Sequence, residues 1–206
     1  MSENEMIAQL LIFFIAGYET TATTVTVILN FLAKHPQYIE KIRKEAEQEI
    51  TDMNRQGFRY SRTSRTVPDD GLPVNNISES KSSFTIESIP YTCAVLNESL
   101  RLVGAVGLNF RVAVIPGSGE LELAGVKIKD GFNVEVPYDI LHIHPDYWGP
   151  NAKDFYPERW IENPDLEKSW FYQPFGGGPR NCIGMRLALM EIKLGVMKII
   201  QKFDPM

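Results

Sequence analysis

The sequence predicts a mainly α protein with a small β-sheet. Three observations carry that expectation. Apolar residues recur at helical spacing in four separate segments, a stretch of short alternating runs broken by glycines lies between Asn109 and Val136, and a glycine-rich loop holding a cysteine leads straight into the last helical segment. With 206 residues and 44% hydrophobic content, the chain is long enough for one core and short for two, so one domain over 1–206 is expected. A net charge of -5 argues against a nucleic-acid binder. Cys93 and Cys182 are too few for a disulfide framework, which favours a reducing, cytosol-facing environment. The acidic start Ser2-Glu3-Asn4-Glu5 is unlike a secretory signal.

The first helix is expected from near Asn4 to Lys34, ending before His35-Pro36 because the residue before a proline avoids the helical region. Its apolar runs Leu10–Ile15 and Val25–Leu32 raise the alternative of a membrane span. Glu19 and the threonines beside it lie between those runs, and a carboxylate at mid-membrane costs about 3 kcal/mol, so a long buried helix of a soluble core is favoured. In its middle, Ala16-Gly17-Tyr18-Glu19-Thr20-Thr21 sets a glycine, a carboxylate and two hydroxyls into an apolar stripe. The plain reading there is a kinked core helix whose threonines bond back to carbonyls.

Gln37–Met53 reads as a second helix with Tyr38, Ile42 and Ile50 on one side and a solvated charged face, including Glu40 four residues before Lys44. From Asn54 to Ser83 the composition turns to Arg, Ser, Asn, Asp, Gly and Pro, as in a flexible surface insertion. A third helix is expected from Tyr91 to about Val103. On it Cys93 reads as a packed thiol, and Glu98 and Arg101, three residues apart, read most plainly as a surface ion pair.

After Gly104 the period changes. Asn109–Ile115, Glu120–Leu123, Val126–Ile128 and Asn133–Val136 are expected as strands in hairpins, separated by Pro116–Gly119, Gly125 and Asp130-Gly131. Tyr138–His144 suits a short helix stopped by Pro145. The aromatic, proline-broken segment Tyr147–Tyr172 suits an irregular packed coil, and Met185–Phe203 a final helix.

Cys182 is the most chemically pointed residue. It falls at or just before the N-terminus of that last helix, where unpaired amides and the helix dipole favour a thiolate. Gly176, Gly177 and Gly178 let the backbone approach the sulfur and any flat ligand over it. Such a site suits a metal or an anion. His142 and His144 come without a Cys-x-x-Cys or His-Glu-x-x-His pattern, so structural zinc is disfavoured. No Gly-x-Ser-x-Gly elbow is present, and the glycine run lacks the Gly-Lys-Ser/Thr ending of a phosphate loop.

The string Phe175–Gly184, with Phe175, Gly178, Arg180, Cys182 and Gly184 at the fixed positions, resembles the Phe-x-x-Gly-x-Arg-x-Cys-x-Gly signature of the cytochrome P450 family, the haem-thiolate monooxygenases. Three further segments resemble the family in its order: Ala16–Thr21 its oxygen-activating segment, Glu98-x-x-Arg101 its Glu-x-x-Arg helix, and Phe155–Trp160 its Pro-Glu-Arg segment. The wording around them is most similar to the vertebrate drug-metabolising family 3 and its invertebrate relatives. The resemblance covers nearly the whole chain but corresponds to the C-terminal half of a family member. It implies the C-terminal part of that fold: long central helix, charged helix, Glu-x-x-Arg helix, hairpins, aromatic coil, cysteine loop and final helix.

The same resemblance implies roles. Cys182 would ligate the iron of haem b, with Phe175 shielding the sulfur and Gly176 and Gly184 shaping the loop. Arg180 and Arg111 would pair with the haem propionates. Ala16 and Gly17 would leave room on the distal face, where Thr20 and Glu19 would organise water and deliver protons. Glu98, Arg101 and Arg159 would form a buried structural triad. Electrons would come from NADPH through NADPH–cytochrome P450 reductase, with cytochrome b5 as a further partner, at the cytosolic face of the endoplasmic reticulum membrane. The full-length parent would be held there by an N-terminal anchor outside this chain. The substrate would be an apolar small molecule such as a steroid, lipid or xenobiotic. The sequence departs from the pattern at Gly104–Gly107, where prolines are usual, and in the length of 54–83. A non-catalytic remnant with weak or no haem binding is the alternative, and a haem-thiolate isomerase or peroxide-using enzyme a third.

Overall fold

The computed structural model describes residues 2–56, 89–117 and 119–205, with backbone alone for 50 and 52–56. Most of the expected insertion 54–83 lies outside the described residues. Asn54–Gln56 continue the second helix instead of starting a loop.

Helix α1 (Glu3–Lys34) opens with a reciprocal cap: the Ser2 hydroxyl accepts from the Glu5 amide at 3.3 Å, and the Glu5 carboxylate accepts from the Ser2 amide at 2.6 Å. Inside the helix, the hydroxyls of Thr20, Thr24 and Thr26 donate to the carbonyls of Ala16, Thr20 and Ala22 at 2.7, 2.8 and 2.9 Å, so the polar groups are satisfied within it. The expectation of a long buried helix fails for most of its length. Only Thr24, Ile28 and Leu32 are buried, whereas Leu10, Phe13, Phe14 and Ile15 are exposed, because the elements packed on α1 cover its C-terminal third. By length and composition alone α1 could also cross a membrane.

Pro36–Tyr38 forms a 3-10 turn, and α2 (Ile39–Gln56) follows. The Glu40–Lys44 pair, 4.0 Å apart and exposed at both ends, contributes little. Arg43 does more, donating to the Ile200 carbonyl at 3.2 Å and pairing with Asp204, which ties α2 to the last helix.

Helix α3 (Pro90–Leu102) is the axis of the core, with every residue from Thr92 to Arg101 buried. Its N-cap residue, Ile89, has no side-chain acceptor, and Glu45 of α2 supplies a cap from outside. The Glu45 carboxylate accepts from the amides of Tyr91 and Thr92 at 2.6 and 2.8 Å and from the Thr92 hydroxyl at 2.7 Å. The core joins Ile28 and Leu32 of α1, Ile42 and Ala46 of α2, Cys93, Leu96 and Leu100 of α3, and Ile192, Val196, Met197 and Ile200 of α7 (Met185–Lys202). Cys93 is a packed thiol, 2% exposed.

The surface ion-pair reading of Glu98 and Arg101 is overturned, since both side chains are fully buried. Glu98 accepts from Arg101 Nε and Nη2, the Tyr156 amide, Arg159 Nε and Trp160 Nε1, at 2.8 to 3.1 Å. Arg101 then donates to the carbonyls of His142, Ala152 and Asp154, and Arg159 to those of Trp148 and Asn151. An irregular segment has carbonyls with no ladder partner, and the two guanidiniums satisfy them.

That segment is less irregular than its prolines suggest. It contains α5 (Pro145–Trp148), α6 (Glu158–Glu162) and a 3-10 turn at Pro164–Lys168, with Pro145 and Pro164 opening elements as first-turn prolines do. Pro145 therefore starts a helix as well as following one, and α4 is only Tyr138–Leu141. Ala94, Trp148, Ala152, Trp160 and Tyr172 make a second, aromatic core.

The strands are β1 (Leu108–Val112), β2 (Glu120–Leu123), β3 (Val126–Lys129) and β4 (Asn133–Pro137). β2 and β3 form a tight hairpin through Ala124-Gly125, both at positive φ, while β1 pairs antiparallel with β4 in register Asn109↔Val136 and Arg111↔Val134.

Candidate active site

The cysteine loop is closed on itself before any ligand is considered. The Cys182 amide donates to the Phe175 carbonyl at 2.9 Å, the Gly176 amide to the Gln173 carbonyl at 3.1 Å, and the Asn181 amide to the Gly178 carbonyl at 3.1 Å. Gly176 and Gly178 sit at φ +73 and +72, which side-chain-bearing residues resist, so these glycines are required by the path of the backbone. Gly184 caps α7 without a side chain, and a Cβ there would lie 4.0 Å from the Cys182 sulfur. Cys182 itself is exposed, just before the helix as its sequence context predicted.

A cavity of about 210 Å³ brings the two ends of the chain together. Thr20, Thr21 and Thr24 of α1 line one side, Phe175, Gly176 and Cys182 of the loop another, and Leu100, Val106 and Ile192 add apolar wall. Of the residues singled out in the sequence, Thr20, Phe175, Gly176 and Cys182 meet here. The remainder stand apart from its lining. Ala16 reaches the site through its carbonyl, which holds the Thr20 hydroxyl. A side chain at Gly17 would meet nothing within 4 Å, and Glu19 is exposed on α1. Arg180 is exposed on the 3-10 turn Gly178–Arg180. Arg111 lines a neighbouring cavity of about 160 Å³ that shares Asn109 and Tyr138 with the first.

Two lining residues, Asn109 and Tyr138, carried no signal in the sequence. Asn109 is one polar position in an alternating strand, and Tyr138 follows a proline in a stretch rich in aromatics. The Asn109 amide donates to the Tyr138 hydroxyl at 3.1 Å. Behind them His142, 2% exposed, accepts from the Gln173 amide through Nε2 at 3.0 Å and stacks on the Tyr138 ring. Burial, helped by the nearby Arg101 charge, pushes the His142 pKa down to about 4, so the ring is neutral and its lone pair anchors the start of the cysteine loop.

The donor set fits one kind of metal group. Among the described residues no three His, Cys, Asp or Glu side chains converge on a point, so no closed set of protein ligands surrounds the Cys182 sulfur there. One sulfur beside apolar walls fits a metal that carries its other ligands with it, as an iron macrocycle does.

Comparison with known proteins agrees. A family model described as Cytochrome P450 matches residues 1–205. Cytochrome P450 3A2 of Rattus norvegicus is 36% identical over 205 residues, 99% of this chain and 35% of its own length. Cytochrome P450 3A19 of Capra hircus aegagrus is 35% identical over 203 residues, 98% of this chain and 79% of its own length. Cytochrome P450 3A12 of Canis lupus familiaris is 35% identical over 205 residues, again 35% of its length. The chain thus spans about a third of most of these relatives. The match runs through α1, the Glu98–Arg101 helix and the cysteine loop alike, and the chain belongs to the cytochrome P450 family.

Proposed function

We propose that this chain is the haem-bearing C-terminal part, residues 1–206, of a haem-thiolate monooxygenase acting on apolar organic molecules. The observation that carries the reading is the single cavity whose walls are Thr20 on one side and Cys182 on the other. When bound, haem b supplies a redox-active iron at which dioxygen is reduced and one oxygen atom is inserted into the substrate. The residues of this chain do the rest. Cys182 gives the iron its sulfur ligand, and Phe175 and Gly176 close the loop around that sulfur. Arg180 and Arg111, both exposed, would pair with the propionates, and Gly184 keeps the space beside the sulfur clear.

On the opposite wall the Thr20 hydroxyl donates to the Ala16 carbonyl at 2.7 Å, which leaves its lone pairs free to accept from water in the cavity. Glu19 is exposed one residue away and exchanges protons with bulk solvent, while Gly17 keeps the helix surface free of a side chain. Electrons come from NADPH through NADPH–cytochrome P450 reductase, aided by cytochrome b5, on the cytosolic face of the endoplasmic reticulum. Apolar steroids, lipids or xenobiotics suit the Leu100, Val106 and Ile192 walls. A second reading, a chain that binds haem weakly and does not turn over, draws on the exposed apolar face of α1 at Leu10, Phe13 and Phe14.

The test is oxidation of a steroid probe by the haem-loaded chain with NADPH and the reductase. Product formation is expected, and Thr20→Ala is expected to lower product per NADPH by about an order of magnitude. Unchanged coupling would overturn the proton-delivery role. A chain that holds haem but forms no product would instead support the second reading.

A further inference from the structure

Arg111, Asn109, Tyr138 and Gln173 are joined in one directional run of hydrogen bonds. Arg111 Nη1 donates to Asn109 Oδ1 at 2.7 Å, Asn109 Nδ2 donates to the Tyr138 hydroxyl at 3.1 Å, and that hydroxyl donates to Gln173 Oε1 at 3.5 Å. Gln173 Nε2 ends the run on the Trp170 carbonyl at 2.8 Å. Each amide has a single orientation here. A guanidinium cannot accept, so Asn109 must turn its oxygen to Arg111 and its NH₂ to Tyr138. The Trp170 carbonyl cannot donate, so Gln173 must turn its NH₂ there and its oxygen to Tyr138.

The glycines of the cysteine loop rest on this run. A Cβ at Gly176 would lie 3.7 Å from Asn109 Nδ2 and 3.8 Å from the Tyr138 hydroxyl, and one at Gly177 would lie 3.1 Å from Gln173 Oε1. The Tyr138 side chain is only 6% exposed and lines both the Cys182 cavity and the neighbouring cavity that Arg111 lines. Its ring is held flat against His142, at an interplanar angle of 10°.

We infer that Tyr138 and Asn109 are positioning residues that lock the Arg111 guanidinium to the cysteine loop, so that the cation meeting the haem carboxylates and the sulfur ligating its iron are held in one fixed relation. The inference rests on the haem-thiolate reading. Strand β1 and the cysteine loop are far apart in sequence, and the hydrogen bonds of β1 to β4 fix only the strand's backbone. Without the hydroxyl, Arg111 keeps its bond to Asn109, but Asn109 loses its tie to the loop.

Tyr138→Phe removes the hydroxyl and keeps the stacked ring, and Asn109→Ala breaks the same run from the other side should the first variant fold poorly. In haem titration, Tyr138→Phe is expected to weaken binding about fivefold and to move part of the reduced carbon-monoxide spectrum to the unshifted band. Combined with Arg111→Ala it is expected to add nothing beyond Arg111→Ala alone, because it acts through that arginine. Wild-type affinity and spectrum in Tyr138→Phe, or effects that multiply in the double variant, overturn the lock. A wild-type chain with only the unshifted band defeats the haem-thiolate reading instead. In that event amide exchange of the haem-free chain still decides: residues 174–182 exchange about tenfold faster in Tyr138→Phe if the lock exists, and at the wild-type rate if it does not.

Discussion

Glu98 accepts from five donors on four residues, and removing its charge leaves two guanidiniums buried without an anion. Glu98→Gln is expected to destabilise the chain by about 3–5 kcal/mol in urea unfolding. A loss below about 1 kcal/mol would mean that water screens the triad. His142 gives the chain a pH dependence of known sign. Unfolded, it titrates near 6.5; folded, near 4. Between these values the unfolded chain binds more protons, so stability is fully present above pH 6.5, falls as the pH is lowered, and is lost below about 4, a component of about 3 kcal/mol. Urea midpoints measured from pH 8 to 4 should show this fall, and His142→Gln should flatten it. An equally steep fall in the variant would assign it to other groups, Glu158 first, whose carboxyl the Tyr38 hydroxyl holds below its usual value.

Among the elements, α3 depends on a cap from α2. Glu45 receives the amides of Tyr91 and Thr92 in the first turn of α3 and the Thr92 hydroxyl, which adds a hydrogen-bonded joint to the α2–α3 contact. Glu45→Ala should lower stability by about 1–3 kcal/mol, read as a lower thermal midpoint, with helix content otherwise kept. An unchanged midpoint would show that water caps α3 equally well. Most elements were legible in the sequence because their signals are local: Pro36 and Pro90 mark helix starts, Gly125 marks the β2–β3 turn, and the α7 periodicity runs from Met185 to Lys202 without interruption. α5 and α6 were not legible, since four- and five-residue helices carry too little periodicity to stand out from a proline-rich coil.

Across the whole molecule, local pattern gave way to long-range packing. The burial of Glu98 and Arg101 could not be read from their spacing, which is as common on surfaces. Their depth comes from Arg159 and Trp160, about sixty residues on. The apolar face of α1 suggested burial, yet its buried residues begin only at Thr24. Thr20 and Cys182 were both legible as motif residues, but their meeting across one cavity, and the Asn109–Tyr138 pair on its wall, arise only from the fold. That the Cys182 sulfur on this cavity wall ligates a haem iron is the central claim, and the reduced carbon-monoxide spectrum of the haem-loaded chain tests it most directly. A red-shifted Soret band that disappears in Cys182→Ser is the predicted result. An unshifted band in the wild-type chain, or a red shift that survives Cys182→Ser, would contradict it.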